Sequence, residues 1–156
     1  MGVIACILLL LLKMSLIVSL MEYGLFELGV AILTAPIWSR WFMTYALKYW
    51  PTAREGEGLA ERFHGQKMRD LVFSTAFALV LSALVLTILG WSGQQHVTWM
   101  RLAIYFILAP SVVWITGTMT ASRISKKLGG LTGDIYGALN EGLEAVLLLL
   151  AVFLLR

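Results

Sequence analysis

The chain has 156 residues, of which 60% are hydrophobic and only 13% are charged, and its formal net charge at neutral pH is +3. A water-soluble domain is about 45–50% apolar and about 25% charged. This composition excludes a soluble globular fold and predicts a single membrane domain over residues 1–156.

A helix needs about 20 mostly apolar residues to cross the hydrocarbon core of a bilayer. The hydropathy pattern predicts an all-α polytopic bundle of about five transmembrane helices, with these spans: Gly2–Leu20, Leu25–Tyr49, Leu71–Trp91, Trp99–Ala121 and Asp134–Leu155. The first span has no basic segment before it and no A-x-A cleavage site after it, so we interpret it as a retained helix and not as a signal peptide.

Basic residues are concentrated in two of the linkers between these spans. They are Arg54, Arg62, Lys67 and Arg69 in linker 51–70, and Arg123, Lys126 and Lys127 in linker 122–133. Two crossings separate the linkers, so they lie on one side of the membrane, and the positive-inside rule predicts that this side is cytoplasmic. The N-terminus is then cytoplasmic and the C-terminus external.

Several charged residues fall inside predicted spans, where each costs about 2.5–3.5 kcal/mol at the helix centre. Lys13, Glu27 and Arg101 lie toward the predicted outer ends of their spans. Long side chains near a span end reach the interface. We therefore predict structural, interfacial positions for these three residues.

Arg40 lies deeper in the second span, four residues after Pro36. A proline inside a helix removes a backbone donor and bends the helix, which can open a cavity beside Arg40. The guanidinium fork suits a phosphate or a carboxylate. The sequence leaves open whether Arg40 binds a phosphate or forms an ion pair with a buried carboxylate.

The last span begins with an unusually polar segment. The helical period places Asp134 and Glu141 about 20° apart and Glu144 about 80° from Asp134, so three carboxylates share one helix face. Such a face needs cations, and Mg²⁺ binds carboxylates together with substrate phosphates. The glycine-rich turn 129–133 precedes a helix N-terminus, which favours phosphate. The alternative is a helix cap at Thr132 or Asp134 followed by carboxylates paired with Lys or Arg.

Segment 127–144, KLGGLTGDIYGALNEGLE, closely resembles the C-terminal signature of the cobalamin synthase family. Members of this family are adenosylcobinamide-GDP ribazoletransferases, also called cobalamin 5′-phosphate synthases. Blocks at 35–41 and 51–63 and the apolar helix ending at Lys13 are also similar, so the resemblance covers essentially the whole chain. Family members carry an additional N-terminal region with an aspartate-rich motif expected to bind Mg²⁺, and this chain lacks that motif. We therefore expect the chain to be the C-terminal part of a longer family member.

The resemblance implies transfer of α-ribazole, or α-ribazole 5′-phosphate, onto adenosylcobinamide-GDP with release of GMP, late in cobalamin biosynthesis and in the cytoplasmic membrane of a prokaryote. It implies Asp134 and Glu141 as catalytic residues and Asp134, Glu141 and Glu144 as Mg²⁺ ligands. The implied substrate- and phosphate-binding residues are Arg40, Arg54, Lys127, Gly129, Gly130, Thr132, Gly133 and Asn140.

The expected partners are these two substrates and the lipid bilayer, together with a second copy of the chain or a missing N-terminal segment, and no nucleic acid. Two other functions remain open from the residues alone. Carboxylates in spans and a proline-bent helix are also typical of an ion-coupled transporter. A non-catalytic membrane remnant could associate with partners through its glycine faces.

Overall fold

The computed structural model of the chain describes residues 2–53, 67–90 and 99–155. Over these residues the chain forms five helices: α1 (Gly2–Met21), α2 (Leu25–Tyr49), α3 (Met68–Gly90), α4 (Trp99–Leu128) and α5 (Gly133–Leu155). The predicted all-α class is confirmed, and for α1, α2, α3 and α5 the predicted ends agree with the structure to within three residues.

The one described helix that is not apolar enough to be a candidate membrane span lies at the centre of the bundle. Among the described residues, α1, α3, α4 and α5 are long and apolar enough to cross a membrane, whereas α2 does not reach that hydropathy. Helix α2 packs against all four of the others, and its Val30, Phe42 and Ala46 are fully buried. The four apolar helices therefore surround a more polar one, as expected of an integral membrane bundle.

Helix α4 is longer than the sequence predicted. The segment Arg123–Lys127 was expected to be a linker, but it is helical, and α4 ends only at Leu128. The cations Lys126 and Lys127 lie in the last turn, where the helix dipole favours positive charge. Gly129 then takes a φ of 77°, the left-handed conformation that commonly ends a helix. The hydropathy criterion missed this extension because the last two turns are polar.

The turn between α4 and α5 is hydrogen-bonded through its backbone to the segment that follows α2. Leu131 donates its backbone N–H to the Pro51 carbonyl at 2.9 Å, and Ala53 donates its N–H to the Leu131 carbonyl at 3.1 Å. Gly130 has a φ of 156°, and a Cβ on it would lie 2.5 Å from the Ala53 nitrogen. Only glycine allows this approach of the two backbones, so both basic linkers begin at the same end of the bundle.

Helices α2 and α4 contact closely through a small residue and a buried hydrogen bond. A Cβ on Gly117 would lie 2.5 Å from the ring of Phe42, so the ring packs directly on the α4 backbone. The hydroxyls of Thr34 and Tyr105 lie 2.8 Å apart in the buried interior. This packing fixes the face that α2 turns toward α5 and the candidate site.

Candidate functional site

A group of charged side chains lies in the middle of the bundle. Lys13 of α1 donates from Nζ to Glu141 Oε2 at 2.6 Å and to Glu144 Oε2 at 2.8 Å, both on α5. The side chains of Lys13 and Glu144 are only 12% and 18% exposed, whereas that of Glu141 is 46% exposed. One ammonium group therefore bridges two carboxylates that share a helix face and reduces the repulsion between them.

The other oxygen of Glu144 has three further donors. Its Oε1 accepts hydrogen bonds from Asn140 Nδ2 at 3.2 Å, Ser39 Oγ at 3.3 Å and an Arg40 guanidinium nitrogen at 3.5 Å. Glu144 is thus the centre of a network that joins α1, α2 and α5. The Lys13 cluster comprises Lys13, Ser39, Arg40, Asn140, Glu141 and Glu144, and its two cations balance its two carboxylates.

Two charged residues lie elsewhere than the sequence predicted. Lys13 was expected to reach the outer interface, and this prediction is wrong, because its ammonium group points into the bundle toward two carboxylates. Glu27 was also expected at the interface, but it is fully buried, and neither carboxylate oxygen has a hydrogen-bond partner in the described part of the chain. The signal for Lys13 was present in the sequence, since a cation deep in a span normally has an anionic partner on another span.

The surroundings of Arg40 bear on both roles that the sequence left open, an ion pair with a buried carboxylate and the binding of a phosphate. The same guanidinium nitrogen, Nη1, contacts Glu144 at 3.5 Å and the Pro36 carbonyl at 3.3 Å. These contacts are long, and the side chain is 64% exposed, so the ion pair uses only part of the guanidinium. A cavity of about 290 Å³ lies beside Pro36 and Arg40, between α2 and α3, as the sequence predicted. We call it the α2–α3 cavity.

The predicted phosphate-binding residues lie in and around the α4–α5 turn. Thr132 is at the N-cap position of α5, where its carbonyl accepts a hydrogen bond from the Tyr136 N–H at 3.0 Å. The exposed members of the predicted set here are Lys127, Gly129, Gly133 and Asp134, and Gly130 is buried against the chain after α2. Arg54 lies outside the described residues. The first backbone amides of α5 are thus next to exposed glycines, an arrangement that suits an anion.

The structure separates Asp134 from the other two predicted metal ligands. Glu141 follows Asp134 by seven positions, which is about 10.5 Å along the helix axis at 1.5 Å per residue. Asp134 is therefore at the exposed end of the bundle, whereas Glu141 and Glu144 are in the Lys13 cluster. Among the residues that the structure describes, no three Asp, Glu, His or Cys side chains form a group that could hold a metal ion. The described residues thus do not fit a resident Mg²⁺ bound by three protein carboxylates.

The structure brings Arg40, Asn140, Glu141 and Glu144 of the predicted set together and leaves the turn residues at the bundle end. Sequence reasoning missed Lys13 and Ser39 as members of the same group. Ser39 carried no signal of its own in the sequence, since a serine in a span usually bonds its own helix backbone.

The chain is similar to known proteins over nearly its whole length. The model of the family described as cobalamin-5-phosphate synthase matches residues 1–152. An adenosylcobinamide-GDP ribazoletransferase of Brevibacillus brevis is 32% identical over 97% of this chain and 54% of its own length. One of Desulforamulus reducens is 35% identical over 92% of this chain and 50% of its own length. The comparison with solved structures gave no significant match.

The chain spans about half the length of the curated relatives it matches. Its matched region includes every member of the Lys13 cluster and the whole α4–α5 turn. The family match covers far more than half of the chain, and the two relatives match at least 92% of it. The chain therefore belongs to the cobalamin-5-phosphate synthase family.

Proposed function

We propose that this chain provides the membrane-embedded C-terminal part of an adenosylcobinamide-GDP ribazoletransferase. In the proposed reaction a ribose hydroxyl oxygen of α-ribazole, or of its 5′-phosphate, bonds to the cobinamide-side phosphorus of adenosylcobinamide-GDP. The bond from that phosphorus to the GMP oxygen breaks, and the hydroxyl proton is released. The observation that carries the proposal is the family match over residues 1–152.

The geometry of the Lys13 cluster supports a role in this reaction. Phosphoryl transfer depends mainly on positioned groups that stabilise charge on phosphate oxygens. Arg40 offers an exposed guanidinium, and Glu144 holds it against α5 through a direct contact. We propose that Arg40 binds phosphate, that Asn140 and Glu144 orient it, and that Glu141, the more exposed carboxylate, acts beside the substrate.

The α4–α5 turn is the second proposed phosphate site. Its exposed glycines and the start of α5 present backbone N–H groups, and Lys127 is the proposed cation at this turn. Arg54, outside the described residues, is proposed from the family resemblance as a further phosphate-binding residue. We propose that Asp134 contributes one oxygen ligand to a Mg²⁺ that arrives with substrate phosphate, since Mg²⁺ commonly uses one or two protein carboxylates together with phosphates. A bound Mg²⁺ would supply positive charge at the phosphate oxygens.

We also propose that the bundle lies in a prokaryotic cytoplasmic membrane with linkers 51–70 and 122–133 on the cytoplasmic side and the C-terminus outside. The backbone hydrogen bonds between Leu131 and the segment after α2 support a common side for both linkers. The bias of Lys and Arg toward these linkers supports the cytoplasmic assignment.

The proposal is tested by assaying membranes that contain this chain for GMP release from adenosylcobinamide-GDP in the presence of α-ribazole and Mg²⁺. Because the relatives are about twice as long, the assay is run with and without the co-produced N-terminal half of the Brevibacillus brevis relative. We expect product only when the Lys13 cluster is intact. Glu144→Gln should lower the rate of product formation by at least about a hundredfold, the scale of losing a positioned electrostatic group.

The matched control is Glu22→Gln, which removes an exposed carboxylate outside the cluster. Full activity in Glu144→Gln would refute the role assigned to the Lys13 cluster. No product in either membrane preparation, together with flux of an ion or solute into proteoliposomes, would refute the transferase assignment in favour of a transporter.

A further inference from the structure

The α2–α3 cavity is placed between two aromatic rings that come from different helices. Trp41 lies on the α2 wall and Phe77 on the α3 wall. The Trp41 indole N–H donates to Thr75 Oγ1 at 2.8 Å, and its ring stacks on Tyr45 with centroids 5.9 Å apart. The indole is therefore held in one orientation, with a flat apolar surface available at the cavity.

Arg40 is the one cation among the residues that line this cavity. A guanidinium has five N–H donors, and Arg40 contacts Glu144 and the Pro36 carbonyl through a single nitrogen, Nη1. The remaining donors have no partner within the described residues. An anionic group at the mouth of the cavity can therefore bind Arg40 through a forked contact while the apolar part of the same ligand enters the cavity.

The other polar groups of the lining offer few donors. Thr44 donates its hydroxyl proton to the Arg40 carbonyl at 3.4 Å, and Ser74 donates to the Leu71 carbonyl at 3.0 Å. Guanine carries a carbonyl, ring nitrogens and an amino group, and Arg40 could replace the lost water at only some of them, so burial of the whole base is unfavourable. An alkylated benzimidazole nucleoside has a single free ring-nitrogen acceptor, so it loses fewer hydrogen bonds than guanine on entering, and the cavity favours it over guanine.

The size of the cavity agrees with this choice. Small-molecule sites commonly measure about 300–1,000 Å³, and this cavity, at about 290 Å³, is at the lower end of that range. It has room for a bicyclic base and part of a ribose, but not for a corrinoid macrocycle. The two substrates of the proposed reaction therefore have different places in the molecule.

We propose that the α2–α3 cavity is the acceptor subsite, in which Trp41 and Phe77 enclose the apolar base of α-ribazole and Arg40 binds its 5′-phosphate when that group is present. This inference rests on the proposed function for the identity of the ligand. It adds to that function the cavity in which the ligand binds and the reason why the guanosine part of the other substrate is disfavoured in that cavity.

The experiment measures equilibrium binding of α-ribazole, α-ribazole 5′-phosphate and GDP to the full chain in phosphatidylcholine nanodiscs, without turnover. We expect Phe77→Ala to weaken binding of both α-ribazole forms by at least about tenfold, the scale of removing one ring that stacks on a base. Phe77 is 64% exposed, so its truncation leaves the buried packing intact. The matched control is Phe73→Ala, which removes a 70% exposed ring one turn earlier on the same helix that does not line the cavity.

Arg40 provides a second, independent measurement. Arg40→Lys keeps the charge but loses the forked geometry, so we expect it to weaken binding of α-ribazole 5′-phosphate at least about fivefold more than binding of α-ribazole. Equal weakening of both forms would contradict the phosphate contact. Displacement of α-ribazole by GDP at similar concentration would show that the cavity accepts guanine and would overturn the proposal.

Failure of this inference differs from failure of the proposed function. Binding with the expected losses, together with no product either with or without the co-produced half of the relative, supports the subsite and refutes the transferase role. Turnover with an unchanged KM for α-ribazole in Phe77→Ala refutes the subsite alone. Absence of α-ribazole binding, together with an anionic phospholipid retained by the wild type and lost from Phe77→Ala, identifies the cavity as a lipid site and overturns the proposal.

Discussion

Replacing Lys13 by methionine tests whether the Lys13 cluster stabilises the fold. Methionine keeps the length of the side chain but removes the ammonium group that contacts Glu141 and Glu144 at 2.6 and 2.8 Å. The two carboxylates then face each other across one helix turn without their shared cation. Glu144, at 18% exposure, cannot compensate by becoming fully hydrated, and Arg40, at 3.5 Å, is the one cation that still contacts it within the described residues.

The expected magnitude follows from the exposure of the two pairs. Removing one partner from a buried ion pair costs about 3–5 kcal/mol, whereas an exposed pair contributes about 0–1 kcal/mol. The pair with Glu144 is mostly buried and the pair with Glu141 is half exposed. We therefore expect Lys13→Met to lower the free energy of unfolding by about 3–5 kcal/mol, almost entirely through Glu144.

The assay is reversible unfolding in phospholipid bicelles, followed by helix content and compared between single and double variants. Lys13→Met combined with Glu144→Gln should recover at least half of the loss, because no uncompensated buried carboxylate remains. Lys126→Met, at an exposed site near the end of α4, is the control and should change stability by less than about 0.5 kcal/mol. A Lys13→Met variant as stable as the wild type, or a double variant less stable than the single one, would refute the reasoning.

Three further changes test other parts of the structure by the same unfolding measurement. Gly130→Ala should destabilise the fold by about 2 kcal/mol or more, because the position has a positive φ and the new Cβ would clash with the backbone of Ala53. Gly133→Ala, with open space around it, should change the stability little, and equal effects of the two variants would contradict the assigned contact. Gly117→Ala should lower the stability of the fold by about 1–3 kcal/mol, because the new methyl group would clash with the Phe42 ring. Adding Phe42→Leu should restore part of that stability, and a double variant with no recovery would count against direct packing. Glu27→Gln should stabilise the chain by about 1 kcal/mol or more, because an unpartnered buried carboxylate is replaced by a neutral group; a loss of stability would show that Glu27 has a cationic partner.

The helices could be predicted from the sequence because span length and apolar composition depend on local runs of residues. The end of α4 could not, since its last two turns from Arg123 to Leu128 are polar and are stabilised by helix-end electrostatics and a following glycine, not by hydropathy. The polar α2 was predicted as a span because of its length, and the structure explains its polarity by its central position.

The candidate site was predictable only in part, because helical geometry has both an angle and a rise. The angle places Asp134 beside Glu141 on one face, but the rise puts them about 10.5 Å apart, so they belong to different parts of the molecule. The partner of Glu141 and Glu144 is Lys13, which comes from a helix more than a hundred residues earlier. Contacts between helices so distant in sequence cannot be derived from the periodicity of either one.

The separation between Lys13 and its partners also has a consequence for biogenesis. Lys13 and Glu141 are 128 positions apart, so α1 leaves the ribosome and enters the insertion machinery long before α5 is made. During that interval an ammonium group near the middle of α1 lacks its anions, which costs about 2.5–3.5 kcal/mol on insertion scales, and the high hydropathy of the rest of α1 offsets that cost. Integration of α1 can therefore precede completion of the bundle, while the final arrangement is locked only when the last helix arrives. Nascent chains that stop before α5 would keep Lys13 in the bilayer without its two carboxylate partners.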